Sequence, residues 1–394
     1  KAEVEKIAKK AEEEREKHLK NYEEGKTTDE NRPWIDMSTP FWAVWFSYTN
    51  HFKTPSPAMV YSIGQSEQYG FYKRITFWAS PYDADLAEEI ANPERLQTGT
   101  LDFAFVLLFL TPLLLLILLY NLKSTETEQG FMPLIEVQSA SREAWLVSRL
   151  VFYAVLVGFV MAALLLYGAM LTDVFATAGS AFTEMLLHGF AYLAFWSVLY
   201  FFIVRSGKSI IGNTLKMTGV YLLFAFIIPA TVHQYVSIAQ PANLMTDFID
   251  VRDQQEELYA QPDSVFQAEL NVLFPEIDTS PVYADSTKRD LARNQSASAL
   301  VNELKKASIA PIEAENQAKN DLIESTFWFN PISFFQNRFN RIAQTHFNDY
   351  QNYRNEIQAL IDRQIRMMVL DNWQGIEVDG EKYLEYVEEL RQVE

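Results

Sequence analysis

The sequence predicts a mainly α fold: a polytopic α-helical membrane protein with a mixed, mostly helical extracytoplasmic domain built from two segments. Three observations carry this. Four uncharged apolar stretches, Phe103–Leu122, Leu150–Thr172, Met185–Val204 and Met217–Val236, each supply about the 20 residues a helix needs to cross a hydrocarbon core. Basic residues cluster in two of the short connections between them and are missing from the third. Most of the charge sits in long polar segments on either side, so the mean hydropathy of −0.08 averages two unlike parts.

The first polar segment, 1–100, opens with a charged helix over Lys1–Glu24. Val4, Ile7, Ala8 and Ala11 make a narrow apolar stripe, the pairs Glu5/Lys9, Glu13/Lys17 and Glu16/Lys20 sit four apart, and Gly25 can close it. Two readings stand for it: a stalk leaving an upstream span, or a lone charged helix on the surface. Asn31–Gly99 is rich in proline and aromatics, including Trp34, Trp42, Trp45, Phe46, Phe52 and Trp78. Core packing of a small outer domain explains them; Phe41–Phe52 lying on the outer membrane surface is the alternative.

The transmembrane domain, 101–236, has spans at about 103–122, 150–172, 183–204 and 214–236, with loops 123–149 and 205–213. Lys123, Arg142 and Arg149 mark the first loop, and Arg205, Lys208 and Lys216 mark the second when it is counted over Arg205–Lys216, whereas Asp173–Ser180 has no Lys or Arg. Short loops rich in Lys and Arg stay cytoplasmic, so both basic loops are expected inside and both long segments outside. Reaching the outer side needs a topogenic signal, so a further span is expected before Lys1. Pro112 and Pro229 are candidate kinks, and Gly158, Ala162 and Ala163 permit close helix packing.

The second polar segment, 237–394, reads as helix at Asp247–Tyr259 and Ser298–Thr326, with Gln261–Asp285 broken by Pro262, Pro275 and Pro281. Across Ser333–Trp373, Phe335, Phe339, Ile342, Phe347, Tyr350 and Ile357 recur at helical spacing, which predicts one or two amphipathic helices. Glu381–Leu390 repeats the pattern weakly.

Charge and composition exclude several functions. Segments 1–100 and 237–394 carry −4 and −13, which is −17 of the −18 total, so nucleic acid is an unsuitable partner and polybasic docking on anionic lipid is disfavoured. No cysteine is present, which removes thiol nucleophiles and Cys-based metal sites. Ser206-Gly207-Lys208-Ser209 echoes the end of a phosphate-binding loop, but such a loop needs glycine where Phe202 stands, so a basic turn is expected. Glu184 and His188 lie four apart near the outer end of the third span, and His233 lies near the outer end of the fourth. Ionisable groups in spans are costly, which makes these three a candidate gate; the plainer expectation is that they reach interfacial water or a neighbouring helix. No catalytic constellation and no metal site is found, so no cofactor is expected in this chain and no enzymatic role is expected.

The loop after the first span carries a family resemblance. Ser124-Thr125-Glu126-Thr127-Glu128-Gln129-Gly130, then Leu134-Ile135 and Ser141-Arg142, resembles the stretch in permeases of ABC-2 type transporters where a span ends in Glu-x-Glu-Arg-Gly, a short helix and Pro-x-Ser-Arg. This chain departs from it at Gln129, where arginine is usual, and at Ser139, where proline is usual. Pro55-Ser56-Pro57-Ala58 through Ile63-Gly64-Gln65, with Tyr69 and Tyr72, resembles the entry of a branch with large outer segments described as a domain of unknown function. Asn92-Pro93 followed by Leu101–Phe105, and Asn330-Pro331 followed by Arg341–Thr345, Tyr350 and Tyr353, are similar to later parts of that branch.

The resemblance implies a subunit with six spans, one before Lys1 and one after Glu394, in the cytoplasmic (inner) membrane of a bacterium. It implies pairing with a second permease, identical or related, and with a cytoplasmic ABC ATPase dimer that binds ATP and Mg. In it, Phe131–Glu136 would form a small apolar-faced helix entering a groove of the ATPase. Phe131, Met132, Leu134 and Ile135 would make the contact, with Glu126 and Glu128 positioned to meet basic groups and Gly130 and Arg142 in the same coupling loop. The alternative is a membrane scaffold whose outer domains bind or organise a periplasmic or envelope protein without transport.

Overall fold

The computed structural model describes residues 2–29, 32–67, 71–81, 102–139, 141–240 and 254–391. Four of its helices are long and apolar enough to cross a membrane: Phe103–Glu128, Arg142–Leu171, Gly179–Ser206 and Ile210–Ala239. Three of the four starts have local causes. Asp102 caps the first helix by accepting from Phe105 N at 2.7 Å, Ser141 caps the second through Ala144 N, and Ser209 caps the fourth through Gly212 N. Aromatic packing fills the bundle around Trp196, Tyr192 and Tyr200, all fully buried.

The first and fourth helices share an irregularity. Each contains a π-turn, Val106–Leu110 and Leu223–Ile227, with a proline two residues beyond it, Pro112 and Pro229. Pro112 has no N–H for the carbonyl of Leu108, four residues earlier. That carbonyl instead accepts from Tyr192 Oη at 2.5 Å, while Phe109 O accepts from Tyr221 Oη at 3.1 Å and Pro112 O from Tyr200 Oη at 3.3 Å. The two π-turns meet, with Phe109 and Phe226 ring centroids 5.9 Å apart. The expected kink residues thus sit beside local loosening of the helix, and tyrosines of the third and fourth helices satisfy the freed backbone.

The two polar segments build one domain. Its core joins Ala43, Val44, Ile75 and Phe77 from the first segment to Leu270, Ile361, Met368, Trp373, Tyr383 and Tyr386 from the second. Polar bonds cross the same seam: Tyr383 Oη donates to Phe46 O at 3.0 Å, Tyr353 Oη to His51 O at 3.0 Å, and Gln364 Nε2 to Val44 O at 3.2 Å. Two short antiparallel ladders complete it: Thr28–Asp29 with Arg32–Asp36, and Asn50–Phe52 with Tyr72–Arg74 in the register His51 opposite Lys73.

Several expectations resolve here. The helix Ala2–Glu23 lies on the polar domain, with Ala11 buried, His18 against Phe46 at 4.7 Å and Tyr22 against Tyr383 at 5.3 Å. Pro40–Phe46 is a core helix, so its aromatics pack inside the domain. The prolines 262, 275 and 281 bound the helix Asp263–Leu273 and two 3-10 turns. The amphipathic stretch is two helices, Pro331–Ala343 and Phe347–Gln374, divided where Gln344 takes the left-handed conformation at φ +59°. Asn92-Pro93 and most of Asp247–Tyr259 fall outside the described residues.

The polar domain is seated on one end of the apolar bundle. Ile332, Phe335 and Phe339 of the helix Pro331–Ala343 belong to the bundle's own core, with Phe335 at 5.0 Å from Tyr192. Tyr61 Oη donates to Leu165 O at 3.1 Å near the end of the second helix, and Asp102 also accepts from Ile63 N at 2.9 Å. The connections 123–149 and 205–213 therefore lie at the opposite end.

Candidate functional site

That opposite end brings the two basic loops together. The short helix Ser124–Glu128 closes in a left-handed glycine, Gly130 at φ +76°, with Phe131 N bonded to Glu126 O at 2.8 Å and Gly130 N to Thr127 O at 3.3 Å. This pair of bonds satisfies the helix's last carbonyls and needs a residue that tolerates positive φ. The chain then turns into the helix Met132–Gln138, started by Pro133.

Polar bonds clasp this loop to the ends of the third and fourth helices. Lys123 is buried, and its Nζ donates to Arg205 O at 2.6 Å and Gly207 O at 3.2 Å, so its charge meets the carbonyls that end the third helix. Glu128 Oε1 accepts from Ile210 N at 2.7 Å, placing a carboxylate at the start of the fourth helix. Asn213, also buried, donates to Ser124 Oγ at 2.6 Å and Tyr120 O at 3.3 Å. Gly207 makes room for it: a Cβ there would stand 1.6 Å from Asn213 Oδ1. Further ion pairs join Arg149 to Glu126, Arg205 to Glu143 at 3.6 Å and Arg142 to Glu136 at 3.8 Å.

Glu126, Glu128 and Arg142 thus have partners within the chain, where the family resemblance implied a loop shaped to meet another subunit. The four apolar residues divide. Phe131 and Leu134 are exposed, at 52% and 56%, whereas Met132 is buried and Ile135 half-buried. Val137, which the sequence reading passed over, is 85% exposed and continues the same face at three-residue spacing. That spacing from Phe131 was the available signal. Lys123 and Asn213 were missed because their role depends on carbonyls some 80 to 90 positions away.

His188 Nδ1 bonds to the backbone carbonyl of Glu184 at 2.8 Å; Glu184 and His233 are exposed, and His188 is half-buried. Among the described residues no hydrogen bond or ion pair joins His233 to either of them. Ser206–Ser209 is a turn between two helices, with Ser209 used as a cap. Among the described residues no group of His, Asp and Glu is placed to hold a metal ion.

The arrangement offers mechanical connection. The clasp joins the segment before the helix Met132–Gln138 to the ends of the second, third and fourth helices. Those helices carry the polar domain at their other ends. Comparison with protein-family models, with curated proteins and with solved structures gave no match.

Proposed function

We propose that this chain is the membrane subunit of an ATP-driven transporter of the ABC-2 type, with its polar domain outside the cytoplasm and its two basic loops inside. A separate cytoplasmic ATPase would drive it through the helix Met132–Gln138, and the energy would serve export or movement of the polar domain. The observation that carries the reading is the water-exposed apolar face of Phe131, Leu134 and Val137, at the bundle end opposite the polar domain. An unpaired apolar face on a short helix suits insertion into a partner's groove. The resemblance of Ser124–Gly130 to the family's loop supplies the class of partner, and the clasp supplies a route by which contact there biases helix positions.

The test is affinity purification of the tagged full chain from its native membrane. A stoichiometric ATPase subunit is expected with the unmodified chain and is expected to be lost from a Phe131→Glu, Leu134→Glu double variant that still accumulates in the membrane. A native complex without any ATPase would favour the scaffold reading, and labelling of Glu128→Cys from outside intact cells would overturn the orientation.

A further inference from the structure

Between the polar domain's longest helices lies a stretch of unlike chemistry. Thr326–Asn348 contains no Asp or Glu, although the segment around it carries −13, and it holds Arg338 and Arg341. It begins with the turn Phe327-Trp328-Phe329, set by Asn330, whose side chain caps the next helix through Ser333 N, and by Pro331 at that helix's start. Trp328 is 86% exposed, the most exposed of the large apolar side chains among the described residues. Its ring rests only edge-on against Phe329, at 4.8 Å, while Phe327 packs on Phe334 at 5.8 Å.

The depth of this stretch is fixed by the bundle. Phe335 touches Tyr192, whose hydroxyl bonds to Leu108 O. Leu108 is five residues into the first helix, about 8 Å along its axis at 1.5 Å per residue. Phe335 therefore packs beside the opening turns of the first helix, near the end of the bundle on which the polar domain sits. The outward face of Pro331–Ala343 carries Arg338, whose guanidinium stands 5.5 Å over the ring of Phe334 and whose side chain is exposed, and Arg341, bonded to Glu324 at 2.5 Å.

We propose that Trp328, Phe329 and the outward face of Pro331–Ala343 form a lipid-contact surface, seated in the headgroup layer of the leaflet on the polar-domain side. The inference rests on the four apolar helices crossing a membrane. An indole with one apolar and one polar edge partitions to that layer. The exposed Arg338 beside it, on an acid-free stretch of an otherwise acidic domain, complements lipid phosphate. The surface is continuous with the apolar bundle, since the other face of the same helix is part of the bundle core. It acts as a foot that fixes the polar domain's height and tilt over the bilayer.

The chain's lack of cysteine makes single-site labelling clean. Spin labels on Trp328→Cys, Arg338→Cys, Val155→Cys and Val272→Cys would be compared in the full chain, reconstituted in vesicles of three parts phosphatidylcholine to one part phosphatidylglycerol. Collision with oxygen reports lipid, and collision with a water-soluble nickel chelate reports solvent. Val155 is 64% exposed on the second helix and Val272 is 79% exposed on the polar domain, so they set the two limits. The expected oxygen-to-nickel ratio at 328 exceeds that at 272 and approaches that at 155, with 338 between. A ratio at 328 equal to that at 272, with 155 still oxygen-rich, overturns the foot and leaves the membrane reading standing. A label at 328 that neither collider reaches means a second copy or another protein covers the turn, which also overturns it. Solvent-like behaviour at 155 would overturn the membrane reading itself.

Discussion

The two ends of the apolar bundle are held by different forces. At the polar-domain end, Tyr61, Ile332, Phe335 and Phe339 are buried in the bundle core, and Gly168 lets Tyr61 approach closely enough that an added Cβ would lie 3.2 Å from its ring. At the loop end, the joints are Lys123, Glu128, Asn213 and the pair Arg149 with Glu126, while apolar Phe131, Leu134 and Val137 face outward. Separating packed aromatics exposes apolar area at a steep cost, whereas a partly exposed polar clasp exchanges its bonds for water at a modest one. The first end is suited to move as a body with its helices. The second is suited to rearrange when something binds.

The largest effect should come from breaking the packed end. Phe339→Ala removes a ring with no exposure, which costs about 3–5 kcal/mol. Thermal unfolding of the purified chain should shift strongly downward, and limited proteolysis should cut between the polar domain and the bundle. Unchanged melting would mean the seat is not a packed joint, and the contrast between the ends would fail. Lys123→Met should rank next. It leaves the carbonyls of Arg205 and Gly207 without their donor, a loss of about 1.5–3 kcal/mol for a charged hydrogen bond. Its proteolytic signature should appear in the connections 123–149 and 205–213 and leave the polar domain intact.

Tyr192→Phe sharpens the comparison from the middle of the bundle. The lost bond to Leu108 O should cost about 1 kcal/mol, within the range seen for side-chain hydrogen bonds between membrane helices. If the cost instead matched that of Phe339→Ala, the ring's packing and not the repair of the proline gap would explain Tyr192.

How much of this was legible depended on range. The four apolar helices followed from local hydropathy, because a span must satisfy its own backbone and so announces itself in one stretch. The paired amphipathic helices after Asn330 were also visible as a 3.6-residue period. Which surface the period would bury was not: Ile332, Phe335 and Phe339 pack on the bundle, not on the polar core, and no local pattern distinguishes two apolar partners. The seat of Ala2–Glu23 on the polar domain was hidden for the same reason, since its contacts with Phe46 and Tyr383 come from residues far along the chain. At the loop end the sequence located the helix and its glycine but did not identify the groups that Glu126 and Glu128 meet. Their partners, Arg149 and the N–H of Ile210, come from other helices.

A pH effect should be smaller still, and it tests whether the junction that follows the helix Pro331–Ala343 is rigid. His346 is buried between Pro331–Ala343 and Phe347–Gln374, where its Nδ1 accepts from Asn348 N at 3.2 Å. Burial, and then the nearby Arg341 charge, hold its pKa below the ordinary histidine value. A depressed pKa means stability that is complete above about pH 6.5 and is lost as pH falls through the lower folded value. His18, lowered by burial and Lys17, adds to the same slope. His346→Asn keeps an acceptor for the cap without a titration, so the melting temperature should fall less steeply on acidification than in the unmodified chain. An unchanged slope would assign the whole effect elsewhere.

The smallest expected effect on stability is at the loop end's outer face. Val137 is 85% exposed, so Val137→Glu removes almost no buried area and should change folding stability by no more than about 0.5 kcal/mol. Thermal unfolding of the isolated chain checks this. A clear destabilisation would mean that the helix Met132–Gln138 packs on its own bundle, and the contrast between a packed end and an open end would be lost. An unchanged melting curve, together with loss of an associated subunit from the native membrane, would separate the two roles of the loop: Lys123 and Asn213 hold it to the bundle, and Phe131, Leu134 and Val137 offer it to something else.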